Sequence, residues 1–231
     1  MRFKAILFDK DGTLFDFNKT WGEWFYNILN DLSDNNTILK NQIACTVKFD
    51  LAKKCFLKES PFIAGSITET IDLIIDYLPK WNKDDLNLWF NQKLKLPDGV
   101  PVEGLEDVLN KIDQMGLKIG LSTNDSYSSA IFQLKKHNIH DYFIFISGYD
   151  SGFGSKPDTG MQEEFSRVVN HKSNLIIMVG DSLADIYAGK NSGMSTIGVL
   201  TGPASRNDLK GEADIVLDSI KEIPEYLIKY S

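Results

Sequence analysis

The sequence feature that most constrains the fold is an alternation of two apolar patterns over the second half of the chain. After Pro97-Asp98-Gly99, short apolar runs alternate with segments in which apolar residues recur every three or four positions. The short runs predict buried strands and the spaced segments predict helices. Strands that alternate with helices need crossover connections, which produce a parallel sheet covered on both faces. We therefore predict an α/β fold with a doubly wound, Rossmann-like parallel sheet. Its helices are expected at 105–115, 127–137, 160–170 and 183–192, and its strands at 117–122, 142–146, 175–179, 196–200 and 214–217.

The first half of the chain adds one strand and then changes pattern. The apolar run 3–8 ends at Asp-Lys-Asp-Gly, which predicts a buried strand of the same sheet followed by a turn. From residue 16 to 98 the apolar spacing is helical, with a helix through Trp21 and Phe25, a long one from Thr37 to Cys55, and a capping box at Ser66 that opens another. We predict an all-helical cap domain, residues 16–98, inserted into an α/β catalytic core made of residues 1–15 and 99–231.

Composition and charge narrow the possible partners. The 231 residues are 42% hydrophobic, which is enough to build a core and excludes disorder. The net charge of -7 argues against nucleic acid or an anionic membrane as a partner, because both attract basic surfaces. The two cysteines have no metal-type spacing and are expected to be reduced. No run reaches transmembrane length and no signal peptide is visible, so we expect a soluble, cytoplasmic protein. Nothing in the sequence predicts the oligomeric state.

Four polar segments each follow a predicted strand. They are Asp9-Lys10-Asp11-Gly12-Thr13, Thr123-Asn124, Lys156-Pro157, and Gly180-Asp181-Ser182 with Asp185. In an open α/β sheet, ligands bind beyond the carboxyl ends of the strands. Each segment alone has an ordinary explanation, as a turn, a helix cap, a solvated lysine or an acidic first turn. All four in order after strands predict one functional site.

The charges of these segments indicate what the site binds. Asp9, Asp11 and Asp181 would repel one another if they were brought together without a cation. Carboxylate and carbonyl oxygens with open positions suit Mg²⁺. Lys156 is the only basic residue that we expect the segments to bring there, facing a ligand that carries negative charge. The set therefore predicts a magnesium ion, a phosphate group and one lysine.

The order of the four segments resembles the motifs of the haloacid dehalogenase superfamily. More narrowly, it is similar to phosphoglycolate phosphatase-like hydrolases that carry a helical C1-type cap between the first and second motifs, and the resemblance covers the whole chain. It implies a Mg²⁺-dependent phosphomonoester hydrolase that acts on a small phosphorylated metabolite through an aspartyl-phosphate. Phosphoglycolate is the first substrate it suggests. The motif set is specific for the superfamily and does not identify the substrate.

The resemblance also implies a role for each motif residue. Asp9 would be the nucleophile, and Asp11 the general acid and then the general base. The metal would be held by the Asp9 side chain, the Asp11 carbonyl oxygen and Asp181, with Asp185 and Gly180 in support. Gly12 would allow the sharp turn after Asp11.

The phosphate group would be bound by Thr123, the Asn124 backbone amide and Lys156. A one-residue shift of this motif would replace Thr123 by Ser122. We prefer Thr123, because Thr-Asn closes this motif in the phosphoglycolate-type branch.

Two other functions are compatible with parts of the pattern. A phosphomutase of the same fold, β-phosphoglucomutase-like, would keep the phosphate and return it to a sugar. A receiver-like signalling domain also uses aspartate, Thr/Ser and lysine at strand ends, but it is much shorter and carries its phosphorylated aspartate on a middle strand of the chain. Dehalogenase chemistry is disfavoured because those relatives do not keep an aspartate at the position of Asp11.

Overall fold

The computed structural model describes residues 2–64, 67–93 and 97–230. The chain divides into two compact units, one made of Met1–Asp16 and Val100–Ser231 and the other of Phe17–Gly99. In chain order the elements are β1 (Ala5–Phe8), α1 (Phe17–Ser33), α2 (Thr37–Thr46), β2 (Phe49–Asp50), β3 (Cys55–Phe56), α3 (Pro61–Ala64), α4 (Ile67–Ile74), α5 (Lys83–Lys93), α6 (Leu105–Gln114), β4 (Lys118–Ser122), α7 (Tyr127–Lys136), β5 (Phe143–Ser147), α8 (Gly160–Val169), β6 (Ile176–Gly180), α9 (Leu183–Asn191), β7 (Ser195–Val199), α10 (Arg206–Leu209), β8 (Ile215–Leu217) and α11 (Ile223–Lys229). Short 3₁₀ turns lie at Ile75–Tyr77, His140–Tyr142, Ser173–Leu175 and Ile220–Glu222.

The first unit is built on a parallel sheet. Among the described residues this sheet has six strands in the order β5-β4-β1-β6-β7-β8, and every neighbouring pair is parallel. The order places β1 between β4 and β6, so the chain runs outward from β1 in both directions. This is the doubly wound α/β fold that the alternation of helices and strands predicted, and the prediction is confirmed.

Both faces of the sheet are covered. Ile6 and Phe8 of β1 point to one face, where they join a core with residues of α6, α7 and α11. Ala5 and Leu7 point to the other face, where they pack with Phe165 of α8. Burial of β1 on both faces explains why its sequence is a continuous apolar run with no polar alternation.

The second unit has an aromatic core, and its described regular elements are helical with one exception. Its buried residues include Trp21 and Phe25 of α1, and the rings of Phe56 and Phe62 stack 4.4 Å apart. The exception is a two-stranded antiparallel ribbon, β2 with β3. The continuous helix predicted from Thr37 to Cys55 is therefore wrong, because α2 ends at Thr46 and the ribbon follows it.

The end of α2 has a local cause. Lys48, two residues after the helix, has φ +54°, in the left-handed region that a helix cannot continue through. Lys54 has φ +51° at the other end of the turn between β2 and β3.

The capping box predicted at Ser66 lies outside the described residues. No helix in the described part of the chain has the length and apolar character needed to cross a membrane.

Candidate active site

The predicted site begins where β1 ends, at the centre of the sheet edge. Phe8, the last residue of β1, is aligned with Leu121 of β4 and Val179 of β6. The amide of Asp9 donates to the carbonyl oxygen of Val179 over 2.8 Å, which continues the ladder by one residue. Because the three strands are parallel, the residues that follow each of them meet at this edge.

Three buried carboxylates lie together at this edge. Asp9, Asp181 and Asp185 each offer an oxygen, and these oxygens lie within 4.8 Å of one another. Asp185 is held by a capping box at the start of α9, where its Oδ2 accepts from the Ser182 amide over 3.0 Å. Asp181 follows β6 directly. The sequence therefore folds so that the end of β1, the end of β6 and the first turn of α9 supply one acidic cluster.

Lys156 provides the positive charge of the cluster. Its ammonium donates to Asp9 Oδ1 over 2.5 Å and to the Ser122 carbonyl oxygen over 2.9 Å. It lies 2.7 Å from Asp185 Oδ1. The lysine side chain is 2% exposed, so these ion pairs are shielded from water.

Burial sets the protonation equilibria of the cluster. It raises the pKa of Asp9 to about 7, against the lowering effect of Lys156, and Asp185 and Asp11 raise that pKa further. Burial also raises the pKa of Asp181 well above its ordinary value, and the charges of Asp9 and Asp185 add to this effect. Burial works to lower the pKa of Lys156, but the charges of Asp185 and Asp9 raise it overall. The raised pKa values of Asp9 and Asp181 mean that positive charge beyond that of Lys156, from protons or from a cation, stabilises the cluster.

The donor set fits a divalent cation. Asp9 Oδ2 is buried and has no hydrogen-bond partner among the described residues, so one oxygen of the cluster is available to a ligand. The cluster offers only carboxylate oxygens, the donors that hard cations prefer. The side chain of Asp11 is not part of this cluster; its Oδ2 lies 2.8 Å from the ammonium of Lys10.

Lys10 corrects one expectation from the sequence. We expected Lys156 to be the only basic residue at the site, but Lys10 is fully buried next to Asp11. Its ammonium also donates to Asp125 Oδ2 over 2.8 Å and to Gln133 Oε1 over 2.5 Å. A signal was present in the sequence, since Lys10 stands between two aspartates directly after a buried strand.

The predicted phosphate-binding residues follow β4. The Ser122 hydroxyl donates to Met178 Sδ at 3.9 Å, inside the protein, whereas Thr123 Oγ1 accepts from the Asp125 amide over 3.0 Å in the loop. The side chain of Asn124 contacts the main chain of Lys156. The sequence predicts a role only for the backbone amide of Asn124, so this side-chain contact is a further finding of the structure.

Two glycines leave room for Asp181. Gly12 has φ +88°, and a Cβ atom there would lie 2.5 Å from Asp181 Oδ2. A Cβ atom at Gly202, in the loop after β7, would lie 1.8 Å from the same oxygen. Thr201 in that loop donates its hydroxyl to the Gly12 carbonyl oxygen over 2.6 Å. This fifth segment was not among the four predicted from the sequence, although it also follows a strand of the sheet.

Gly180 is required for a similar reason. A Cβ atom at Gly180 would lie 2.2 Å from the Cβ atom of Asp185. Any larger residue there would displace the first turn of α9 and the carboxylate that it carries.

Comparisons with known proteins agree with this architecture. The model of the haloacid dehalogenase-like hydrolase family matches residues 6–199. A glyceraldehyde 3-phosphate phosphatase of Pyrococcus furiosus is 26% identical over 98% of this chain and 93% of its own. A phosphoglycolate phosphatase of Psychrobacter arcticus is 29% identical over 56% of this chain and 57% of its own.

A solved structure shares the fold. The β-phosphoglucomutase of Clostridium difficile superimposes with a TM-score of 0.68, at 20% identity, over 99% of this chain and 96% of its own. The predicted resemblance and the predicted enzyme class, a haloacid dehalogenase-like phosphatase, are confirmed by the family match and by relatives that are named as phosphatases. The chain belongs to the haloacid dehalogenase-like hydrolase family.

Proposed function

We propose that this protein is a Mg²⁺-dependent phosphomonoester hydrolase that uses Asp9 as its nucleophile on a small phosphorylated metabolite. One observation carries the proposal. The Asp9 carboxylate is buried with Asp181 and Asp185; one of its oxygens is paired with Lys156, and the other has no hydrogen-bond partner in the described part of the chain. Such a carboxylate oxygen is suited to attack the phosphorus atom of a phosphate group. The negative charge of that group would be neutralised by a metal ion on one side and by Lys156 on the other.

The metal would be held by the Asp9 and Asp181 carboxylates and the Asp11 carbonyl oxygen, with Asp185 in support. When bound, Mg²⁺ would neutralise negative charge on the phosphoryl oxygens and on the carboxylates. Magnesium is the expected ion because the donors are all oxygens and the site would leave positions for water and phosphate. The raised pKa values of Asp9 and Asp181 support a cation at this place, because a cation can replace the protons that crowded, buried carboxylates otherwise hold.

The chemical steps follow from the positions of two aspartates. An Asp9 oxygen would attack phosphorus while the bond to the ester oxygen breaks, and Asp11 would give its proton to that leaving oxygen. Asp11 would then take a proton from water as the water attacks the aspartyl-phosphate. The bond between phosphorus and the Asp9 oxygen would break, which releases phosphate and restores the Asp9 carboxylate.

Three further residues would bind the transferring phosphoryl group. Thr123, the Asn124 amide and Lys156 would contact its oxygens, where charge stabilisation contributes most to phosphoryl transfer. The inward position of the Ser122 hydroxyl supports Thr123 as the residue in this role. Lys156 would exchange part of its contact with Asp9 for the phosphate oxygens.

The substrate is proposed as a chemical class, together with a role for the helical unit and a cellular location. Relatives named for glyceraldehyde 3-phosphate and phosphoglycolate support a small phosphorylated metabolite, and phosphoglycolate is the first compound to test. We propose that residues 17–99 are a cap domain inserted into the catalytic core and that this domain selects the substrate. Two free thiols fit a reducing, cytoplasmic setting.

The test is phosphate release from p-nitrophenyl phosphate with and without Mg²⁺. We expect activity that EDTA abolishes and that Asp9→Asn lowers by about 10³-fold or more. Asp107→Asn is the matched control, because Asp107 is an exposed residue of α6 paired only with Lys111 in the described contacts. Acid quenching during turnover should trap phosphate on the wild type and not on Asp9→Asn.

Two outcomes would count against the proposal. A wild type that is inert towards p-nitrophenyl phosphate and a panel of phosphorylated metabolites would contradict hydrolysis. Conversion of glucose 1-phosphate into a sugar 6-phosphate, without release of phosphate, would instead favour the phosphomutase alternative.

A further inference from the structure

The side chain of Lys10 links three segments of the α/β unit. Its ammonium contacts Asp11 in the turn after β1, Asp125 in the loop after β4, and Gln133 of α7. The side chain of Lys10 is 0% exposed. A lysine in an Asp-x-Asp turn would ordinarily extend into water. Here it lies inside the protein.

Burial of this ammonium is costly unless it is well paired. Burial works to lower the pKa of Lys10, but the charges of Asp11 and Asp125 raise it overall. Lys10 therefore stays charged in this position. Removing the charge of Lys10 would take away a cation that lies between two carboxylates, one from each loop.

Further hydrogen bonds hold the segments at both ends of this link. The Lys10 carbonyl oxygen accepts from the amides of Leu14 over 2.8 Å and Phe15 over 3.0 Å, which closes the turn that carries Asp11. On the other side, the Asp125 amide donates to Thr123 Oγ1 over 3.0 Å. Lys10 thus connects the turn of Asp11 to the loop of Thr123 and Asn124.

We propose that Lys10 is a positioning residue, whose ammonium holds the Asp11 carboxylate at a fixed place relative to Thr123 and Asn124. The inference rests on the proposed function, in which Asp11 transfers a proton to the leaving oxygen of a phosphate held by that loop. Loss of the Lys10 contact would let the Asp11 carboxylate shift relative to this loop, and a shifted carboxylate would reach the leaving oxygen less often.

Loss of positioning has a specific kinetic consequence. A leaving group that is a strong base needs proton transfer more than one that is a weak base. Phenyl phosphate and p-nitrophenyl phosphate differ only in the nitro group, which makes the nitrophenolate the weaker base. A displaced Asp11 should therefore impair hydrolysis of phenyl phosphate more than hydrolysis of p-nitrophenyl phosphate, whereas general damage to the site would impair both equally.

The experiment compares Lys10→Met with the wild type on these two substrates. Met keeps much of the length of the side chain and removes its charge. We expect kcat/KM to fall about 100-fold for phenyl phosphate and about 10-fold or less for p-nitrophenyl phosphate. Lys10→Arg, which keeps the charge, should recover part of the loss. Lys111→Met is the control, since it makes the same change at an exposed ion pair.

An equal loss on both substrates would overturn the proposal, and so would an unchanged kcat/KM. If Lys10→Met does not fold, Lys10→Gln replaces it, because a polar amide is tolerated better beside two carboxylates; it lacks the charge, so an unequal loss in the same direction is expected. Failure of both variants to fold would show that Lys10 is structural only. A crystal structure of the variant gives a readout without activity, in which Asp11 should leave its wild-type rotamer. If the wild type is inert on both substrates, the proposed function fails, and this structural readout still tests Lys10.

Discussion

The side chain of Asn124 is hydrogen-bonded to both main-chain polar groups of Lys156. Asn124 Oδ1 accepts from the Lys156 amide, and Asn124 Nδ2 donates to the Lys156 carbonyl oxygen, each over 2.9 Å. Asn124 follows β4, whereas Lys156 lies in the loop between β5 and α8. The two contacts therefore fix where the loop places the ammonium that pairs with Asp9 and Asp185.

The first prediction concerns this pair. Asn124→Ala removes both hydrogen bonds that hold the main chain of Lys156. The Lys156 ammonium keeps its charge, but its position is no longer fixed by Asn124. We expect kcat/KM for p-nitrophenyl phosphate to fall about 100-fold, because a displacement of about 1 Å costs that much. The free energy of unfolding should fall by about 1–3 kcal/mol. Steady-state kinetics and urea denaturation measure the two effects.

Asn110→Ala is the control for this prediction. Asn110 is exposed on α6, and its side chain accepts only from Gln114 in the described contacts. This variant should keep wild-type activity and stability. If Asn124→Ala were as active as Asn110→Ala, the side chain of Asn124 would have no part in holding Lys156.

The second prediction concerns stability without metal. The pKa of Asp9 is about 7 in the folded protein and 3.8 as an ordinary carboxyl group. Between these values the folded state binds more protons than the unfolded state, so folding stability falls as pH rises from about 4 through 7. Asp9→Asn removes this proton uptake. In EDTA, its free energy of unfolding should depend less on pH and exceed that of the wild type at pH 8.

Urea denaturation at several pH values tests this prediction. The difference between variant and wild type isolates Asp9 from the other carboxylates of the chain. Asp107→Asn should parallel the wild type, because Asp107 is an exposed residue paired with Lys111. A difference between Asp9→Asn and wild type that stays constant from pH 4 to 8 would contradict the raised pKa of Asp9.

The fold was predictable because its signals are local and periodic. Alternating runs and spaced segments in residues 105–217 placed β4 to β8 and α6 to α9 within about two residues of their observed bounds. A short buried strand needs a continuous apolar run, and a helix on a sheet needs one apolar face. Both patterns, the apolar run and the apolar helix face, can be recognised in a single sequence.

The helical unit was harder to predict at its irregular points. Helical spacing continues through residues 47–55, so it concealed the ribbon of β2 and β3. The turns of this ribbon depend on left-handed conformations of Lys48 and Lys54, which lysine rarely adopts and its identity does not indicate. Helix α1 also begins at Phe17, although Thr20 has the residue type of a helix cap. Tertiary packing decided these boundaries.

The candidate site was predictable by position but not by orientation. Strand ends identified Asp9, Asp181 and Lys156 as neighbours, because parallel strands end at one edge. They could not show that Lys10 turns inward or that Gly202 approaches Asp181. The contacts of Lys10 with Asp125 and Gln133, and the approach of Gly202 to Asp181, join residues that are far apart in the chain. They depend on side-chain packing, which no local pattern of the sequence predicts.

The third prediction concerns the helical unit. A Cβ atom at Gly22 of α1 would lie 2.1 Å from the Lys54 carbonyl oxygen, in the turn that leads into β3. Gly22→Ala should therefore push the ribbon away from α1 and lower the free energy of unfolding by about 1–3 kcal/mol, although alanine favours helices. Asn27→Ala, at an exposed position of the same helix, should be neutral or stabilising. Equal stability of the two variants would contradict the close approach.

The last prediction concerns Gly202 and metal affinity. A Cβ atom at Gly202 would lie 1.8 Å from Asp181 Oδ2, so Gly202→Ala must displace the carboxylate or the loop after β7. If Asp181 binds Mg²⁺, the Gly202→Ala variant should bind the ion about 10–100-fold more weakly than the wild type in calorimetry. Losses of this size are typical when the residues that orient a metal ligand are disturbed. Gly116→Ala is the control, since Gly116 has φ +77° and no contact within 4 Å for a Cβ atom. It should lose stability by strain at positive φ yet keep its Mg²⁺ affinity. Unchanged affinity in Gly202→Ala would mean that Asp181 is not a ligand or that the loop yields without cost.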